Sequence, residues 1–148
     1  YKTCAAGKWQ INDFRLQPTV MNDHGFDEYA MWTGVEGGNE TISQERYWNP
    51  KIHTSKASKT YERQFGEDIF TDFIIDFMKK NKDDPMLIYY PMCLPHGPLT
   101  TTPSEPKVLG NMEKHKAMVR YTDEILGKLC TAIDYLGIRN NTFFFRAS

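Results

Sequence analysis

The second half of the chain alternates between runs of helical period and short apolar runs, and that alternation restricts its fold more than any other feature. In "EDIFTDFIIDFMKKN", residues 67–81, apolar side chains fall at Ile69, Phe70, Phe73, Ile74, Phe77 and Met78. Pairs returning every four residues make one helical stripe. Glu67 and Asp68 suit the N-terminal end of the helix dipole, and Lys79 and Lys80 suit the C-terminal end. The polar turn "NKDDP" stops that helix, and "MLIYYPM", 86–92, follows as a run of strand length. Tyr89 and Tyr90 favour a buried strand over a helix, and Pro91 marks its end. From about Asn111 to Leu136, Met118, Tyr121, Ile125, Leu129, Ile133 and Leu136 recur at spacings of three or four, with Gly137 as the cap. "NTFFF", 141–145, then reads as another strand. Helices and strands alternating at this spacing predict an α/β fold, a mostly parallel sheet flanked by helices.

The first 66 residues are less regular. "YKTCAAGKW" reads as a strand followed by a tight turn at Gly7. Residues 33–66 are polar, with Gly37-Gly38 and an "RYWNPKI" patch that suits a short strand. A stretch this long without regular structure is unusual in a compact domain and is often functional.

Composition narrows the class of protein. At 148 residues, 40% hydrophobic and 25% charged, the chain matches one soluble globular domain. Its 18 basic and 19 acidic side chains give a net charge of −1 with no block of like charge, so no electrostatic footprint for nucleic acid or an acidic membrane is present. No apolar run approaches the roughly 18 residues needed to span a bilayer. The opening "YKTCAAGKWQ" lacks the basic head and apolar core of a signal peptide. Cys4, Cys93 and Cys130 are too few and too scattered for a disulfide framework or a C-x-x-C metal site, so buried thiols are expected.

Two residues stand out chemically. His96 lies in "LPHGPL", six residues beyond Tyr90, where open parallel sheets bind ligands outside the carboxyl ends of their strands. Pro95 and Pro98 stiffen its turn, and a histidine suits proton transfer near neutrality. Lys8, in "AAGKW", is set directly after a turn glycine at a strand end, where an ammonium can meet an anion. The Asp83-Asp84 pair reads as a solvated turn at the opposite end of that strand, and His24 and His115 have no convergent partners in sequence. "NET", 39–41, and "NNT", 140–142, match the N-glycosylation pattern, which matters only in a eukaryotic secretory pathway.

Four blocks, in order, resemble the catalytic domain of the sulfatase family, the arylsulfatase-like branch of the alkaline phosphatase superfamily. They are "GKWQIN" at 7–12, "HGFDEY" at 24–29, "MLIYYPMCLPHGPL" at 86–99, and "MVRYTDEILGKL" followed by "LGIRNNTFFF" within 118–145. The resemblance implies hydrolysis of sulfate esters by a formylglycine nucleophile beside a divalent cation, usually calcium. It implies that Lys8 contacts the sulfate group and that His96 sits near the bridging oxygen and relieves charge on the leaving group. Gln10 takes the place of the family's usual histidine two residues after the lysine; it can hydrogen-bond substrate but cannot act as a base. "CAAGK" ends in lysine and overlaps the "GKW" block, so Cys4 is rejected as a formylglycine precursor.

The resemblance also implies that the nucleophile and the metal-binding Asp and Asn residues lie outside this chain. Residues 1–148 are therefore read as an internal portion of one sulfatase-like catalytic domain, inactive in isolation and inclined to self-associate through exposed sheet edges. The implied partner is a sulfated small molecule or glycan, and the implied compartment is periplasmic, secreted or lysosomal. Two other readings stay open: a phosphoesterase or phosphonate hydrolase of the same superfamily, and a non-catalytic module that binds sulfated glycans or serves assembly.

Overall fold

The computed structural model of the chain describes residues 1–34 and 45–147. Gly37-Gly38 and the "NET" sequence at 39–41 lie outside the described residues. The elements are β1 (Lys2–Lys8), α1 (Val20–Asp23), β2 (Glu28–Trp32), β3 (Lys51–Thr54), β4 (Ser58–Thr60), α2 (Gly66–Asn81), β5 (Met86–Tyr89) and α3 (Asn111–Tyr135), followed by a 3-10 turn at Arg139–Asn141. The strands form one sheet in the order β4-β3-β2-β1-β5, flanked by helices, which is the α/β architecture the sequence predicts.

One side of the sheet, β2, β1 and β5, is parallel. β1 pairs with β2 from Cys4↔Glu28 to Lys8↔Trp32, and with β5 from Lys2↔Met86 to Ala5↔Tyr89. An antiparallel wing extends it, β3 against β2 and β4 against β3. β1 lies between β2 and β5, and its small buried residues, Ala6 among them, let α2 pack closely over it. Period-two alternation then sorts two cores. Ala6, Ala30 and Trp32 face α2 and α3, while Ala5, Tyr29 and Met31 face a smaller cluster with Trp9, Phe14 and Met21.

Both predicted helical stripes face the larger core. Phe70, Ile74, Phe77 and Met78 of α2 are buried, as are Met118, Tyr121, Ile125, Leu129 and Ile133 of α3. Each such side chain stabilises the fold by about 1.5–3 kcal/mol relative to exposure. Gly137 closes α3.

Two expected strands differ from the expectation. β5 pairs on one side alone among the described residues and is half-exposed, with Leu87 at 54% and Tyr89 at 49%. The "NTFFF" run forms no strand. After the 3-10 turn it continues without a ladder partner, and Phe143 and Phe145 stand 89% and 75% exposed. Its β-branched and aromatic content favours a pleated surface only where a neighbouring strand supplies one. The "RYWNPKI" patch contributes its last two residues to β3, and its Trp48 makes an isolated bridge to Phe65.

Candidate active site

The exits of β1 and β5 lie side by side. The Lys8 N–H donates to Pro91 O at 2.7 Å, and the Trp9 N–H donates to Trp32 O at 2.7 Å, so Lys8 leaves the sheet between its two neighbours. Gly7 makes that approach possible. Its φ is +119°, and a Cβ there would lie 2.2 Å from Pro91 O.

Beyond β5 the chain turns through Cys93–Pro98, with cis peptide bonds before both Pro95 and Pro98. Two sets of side chains hold this turn. From α2, Glu67 is fully buried: its Oε1 accepts the Cys93 N–H (2.6 Å) and the Leu94 N–H (3.1 Å), and its Oε2 accepts the Tyr90 hydroxyl. From residues 46–48 come three consecutive side chains. The Tyr47 hydroxyl lies 2.7 Å from Cys93 O and 2.5 Å from His96 O, its single proton shared between two carbonyls. The Trp48 indole donates to Thr101 O at 3.1 Å. Arg46 Nη1 lies 3.1 Å from His96 Nδ1. This strap is itself fixed to the start of α2, where the Gly66 N–H donates to Tyr47 O at 2.7 Å. A Cβ at Gly66 would lie 2.2 Å from Arg46 O, so strap and helix touch backbone to backbone.

The His96 ring is exposed at the tip of the turn, and its Nδ1 also lies 2.7 Å from Gly97 O. Gln10, Trp32, Arg46, Tyr47 and Pro98 line an open cleft of about 340 Å³ beside it. The guanidinium of Arg46 sits 4.4 Å from the centroid of the Trp32 ring, a stacked cation–π contact.

Burial and charge act together around Cys93. Burial, then the neighbouring Glu67, holds its thiol well above the ordinary range, while Arg46 and Lys8 both pull it down. The two cations thus act on the same thiol, Lys8 from the exit of β1 and Arg46 from the strap at 46–48. Burial also raises the carboxyl of Glu67 above its usual range, against the pull of its three hydrogen-bond donors. The Tyr47 hydroxyl is likewise raised by burial.

Of the residues singled out from sequence, the structure brings Lys8, Gln10 and His96 to the same end of the sheet. The remaining candidates lie elsewhere. Asp83 and Asp84 are exposed at the opposite end of β5, where Asp83 pairs with Lys82; His24 packs on Trp9; His115 is exposed on α3. Arg46, Tyr47 and Glu67 escaped sequence reasoning as members of this site. Arg46 and Tyr47 open the "RYWNPKI" patch, so an arginine and two aromatics in a long irregular stretch were the available signal.

A divalent cation finds no ready ligands here: among the described residues no three His, Cys, Asp or Glu side chains gather in a metal-binding group. Cys4 does not fit a nucleophile. It is fully buried in β1, and burial followed by the charge of Glu28 pushes its thiol up to about 12. Cys4 and Cys93 are buried free thiols and Cys130 is partly exposed. No helix among the described residues is long and apolar enough to cross a membrane.

Comparison with known proteins supplies what geometry alone does not. None of the curated proteins matches the chain. Among solved structures, the crystal structure of Ps i-CgsB is similar at 23% identity with a TM-score of 0.70, covering 93% of this chain and 35% of that one. The same protein in complex with k-i-k-neocarrahexaose is similar at 24% identity and the same TM-score of 0.70. The chain thus spans about a third of the length of these neighbours, and at this identity they show the fold. The sulfatase family model matches residues 1–148, the whole of the chain, and the chain therefore belongs to the sulfatase family.

Proposed function

We propose that residues 1–148 form an internal portion of a sulfatase catalytic domain and supply the cationic wall of its sulfate-ester pocket. The observation that carries this reading is the emergence of Lys8 and His96 from the adjacent exits of β1 and β5, with Lys8 tied by its backbone to Pro91. Sulfuryl transfer concentrates negative charge on the sulfate oxygens and on the leaving oxygen. Lys8 neutralises the former, and a fixed ammonium in place before reaction costs no reorganisation. His96, exposed on a turn held by Glu67 and Tyr47, offers its ring to the leaving oxygen for hydrogen bonding or protonation. Gln10 hydrogen-bonds substrate from the cleft wall.

The family's formylglycine and divalent cation would supply nucleophile and Lewis acid when present. The described residues fit neither, so no step through them is assigned to this chain. The substrate class is a sulfated small molecule or glycan, and the oligosaccharide complex of the structural neighbour supports the glycan. The edge of β5, unpaired among the described residues, and half-exposed Leu87 and Tyr89 on one face of that strand support self-association of the isolated chain, which sedimentation velocity would register.

The decisive experiment uses the full-length enzyme and a series of aryl sulfates of rising leaving-group pKa. His96→Ala should lower kcat/KM by roughly 10²–10⁴-fold, and the loss should grow as the leaving group worsens. An equal loss for every leaving group would place His96 away from the bridging oxygen. Faster turnover of the matching aryl phosphates would favour the phosphoesterase reading.

A further inference from the structure

Arg46 differs from the other cations of the molecule in what it leaves unsatisfied. Its Nε is buried and has no partner among the described residues, and the same is true of the Trp32 indole N–H on which its guanidinium stacks. Trp32 is 1% exposed, and both residues line the 340 Å³ cleft together with the amide side chain of Gln10. Leaving a buried donor without an acceptor costs about 1–3 kcal/mol, and such groups are rare unless something else brings the acceptor. The Glu45 carboxylate also lines this cleft, yet it leaves the Arg46 Nε and the Trp32 indole N–H without an acceptor. A guanidinium binds sulfate or carboxylate through paired N–H groups, and that is the acceptor this pair of donors suits.

The contact that Arg46 does make is contested. Its Nη1 lies 3.1 Å from His96 Nδ1, and Gly97 O lies 2.7 Å from the same nitrogen. A guanidinium can only donate and a carbonyl can only accept, so one nitrogen cannot serve both. A bare Nδ1 satisfies Arg46, whereas a protonated Nδ1 satisfies Gly97 O and releases Arg46.

Building on the sulfatase reading, we propose that Arg46 is an oxyanion-binding residue of this cleft, exchanging His96 Nδ1 for a sulfate or carboxylate oxygen of the substrate. His96 then keeps its Nδ1 proton on Gly97 O, and its Nε2 is turned to the leaving oxygen. In this assignment Lys8 and His96 hold the reacting sulfate, and Arg46, on the cleft lining with Gln10 and Trp32, takes a second anionic group. The substrate class this selects is a glycan with a second anionic substituent beside the ester sulfate.

The test is an NMR titration of the full-length enzyme, isotope-labelled at tryptophan and histidine, with three disaccharides: monosulfated, disulfated, and monosulfated with a uronate. The doubly anionic ligands should bind at least about tenfold tighter than the monosulfated one. They should shift the Trp32 indole N–H and move the His96 Nδ1 resonance to its protonated position. Which of the two binds tighter tells sulfate from carboxylate as the second group. Arg46→Gln should erase the preference, and Lys8→Ala should weaken all three ligands alike. Should Arg46→Gln lose its dispersed spectrum, Arg46→Lys carries the test, because it keeps the charge and loses the paired geometry; it should retain only part of the preference. A preference that survives either Arg46 variant overturns the assignment and leaves the sulfatase reading standing. A wild-type enzyme that binds none of the three overturns both the Arg46 assignment and the sulfated-glycan substrate class.

Discussion

The runs "MLIYYPM" and "NTFFF" give similar local signals, yet they end in different states. The first enters the sheet as β5, pairs with β1 over four residues, and passes into a turn gripped by Glu67 and Tyr47, with Trp48 holding Thr101 beyond it. The second leaves a 3-10 turn, makes a Thr142 hydroxyl bond back to Ile138 O at 2.8 Å, and then exposes its phenylalanines, with Phe143 stacked on Phe145. Propensity is shared between them, and the ladder partner is not. What separates a working strand from an apolar tail here is tertiary: β1 on one side, and polar side chains waiting at the exit.

Substitutions can break that contrast, starting with the largest effect. Gly7→Val puts a branched Cβ at φ +119° and against Pro91 O, and should cost more than about 3 kcal/mol, read as a collapse of the urea midpoint. A loss below 1 kcal/mol would mean that the β1–β5 junction is less constrained than the tail, the reverse of the contrast drawn here.

Glu67→Ala comes next, at about 3 kcal/mol, because the Cys93 and Leu94 N–H groups and the Tyr90 hydroxyl are left without their shared acceptor. The same carboxyl sets a pH dependence. Burial raises its folded value above the unfolded one, so the folded chain holds the proton more tightly. That contribution is complete below the ordinary carboxylate range and is lost as pH rises through the folded value. Glu67→Gln keeps an acceptor for both N–H groups and should flatten the fall in melting temperature from about pH 4 upward. An unchanged slope would assign the dependence elsewhere.

Tyr47→Phe removes one hydroxyl from two carbonyls and should cost about 1–1.5 kcal/mol in thermal melts, with chemical-shift changes concentrated at 93–98. Smallest of all, Phe143→Ser should change stability by no more than about 0.5 kcal/mol. A larger loss would show that the tail packs in solution as β5 does, and would erase the comparison.

The physics of each region explains how much of it could be read in sequence. α2 and α3 are legible because one-sided burial leaves a period that survives in the residues themselves, from Phe70 to Met78 and from Met118 to Ile133. The turn with His96 is legible because prolines punctuate the end of an apolar run. The antiparallel wing is not: β4 is "SKT", three exposed polar residues that pair only because β3 is already there. Glu67 shows a subtler failure. At the start of a helix an acid reads as a dipole partner in solvent, whereas this one is buried, clamping a turn 26 residues away in sequence. Arg46 belongs to a stretch without period, so its meeting with His96, 50 residues away, is fixed by the strap's attachment to α2 rather than by any local pattern.

The strap at 46–48 has a consequence for how such a site can change. It offers Arg46 to the cleft, and the adjoining Tyr47 and Trp48 hold the backbone on which His96 rides. Under the roles proposed for Arg46 and His96, choice of substrate and placement of the histidine are written into three adjacent codons. Grafting a different loop here to alter selectivity would also unseat the histidine unless the aromatic pair were carried over. Selectivity can drift freely only at Arg46, the one position of the three whose side chain holds no backbone.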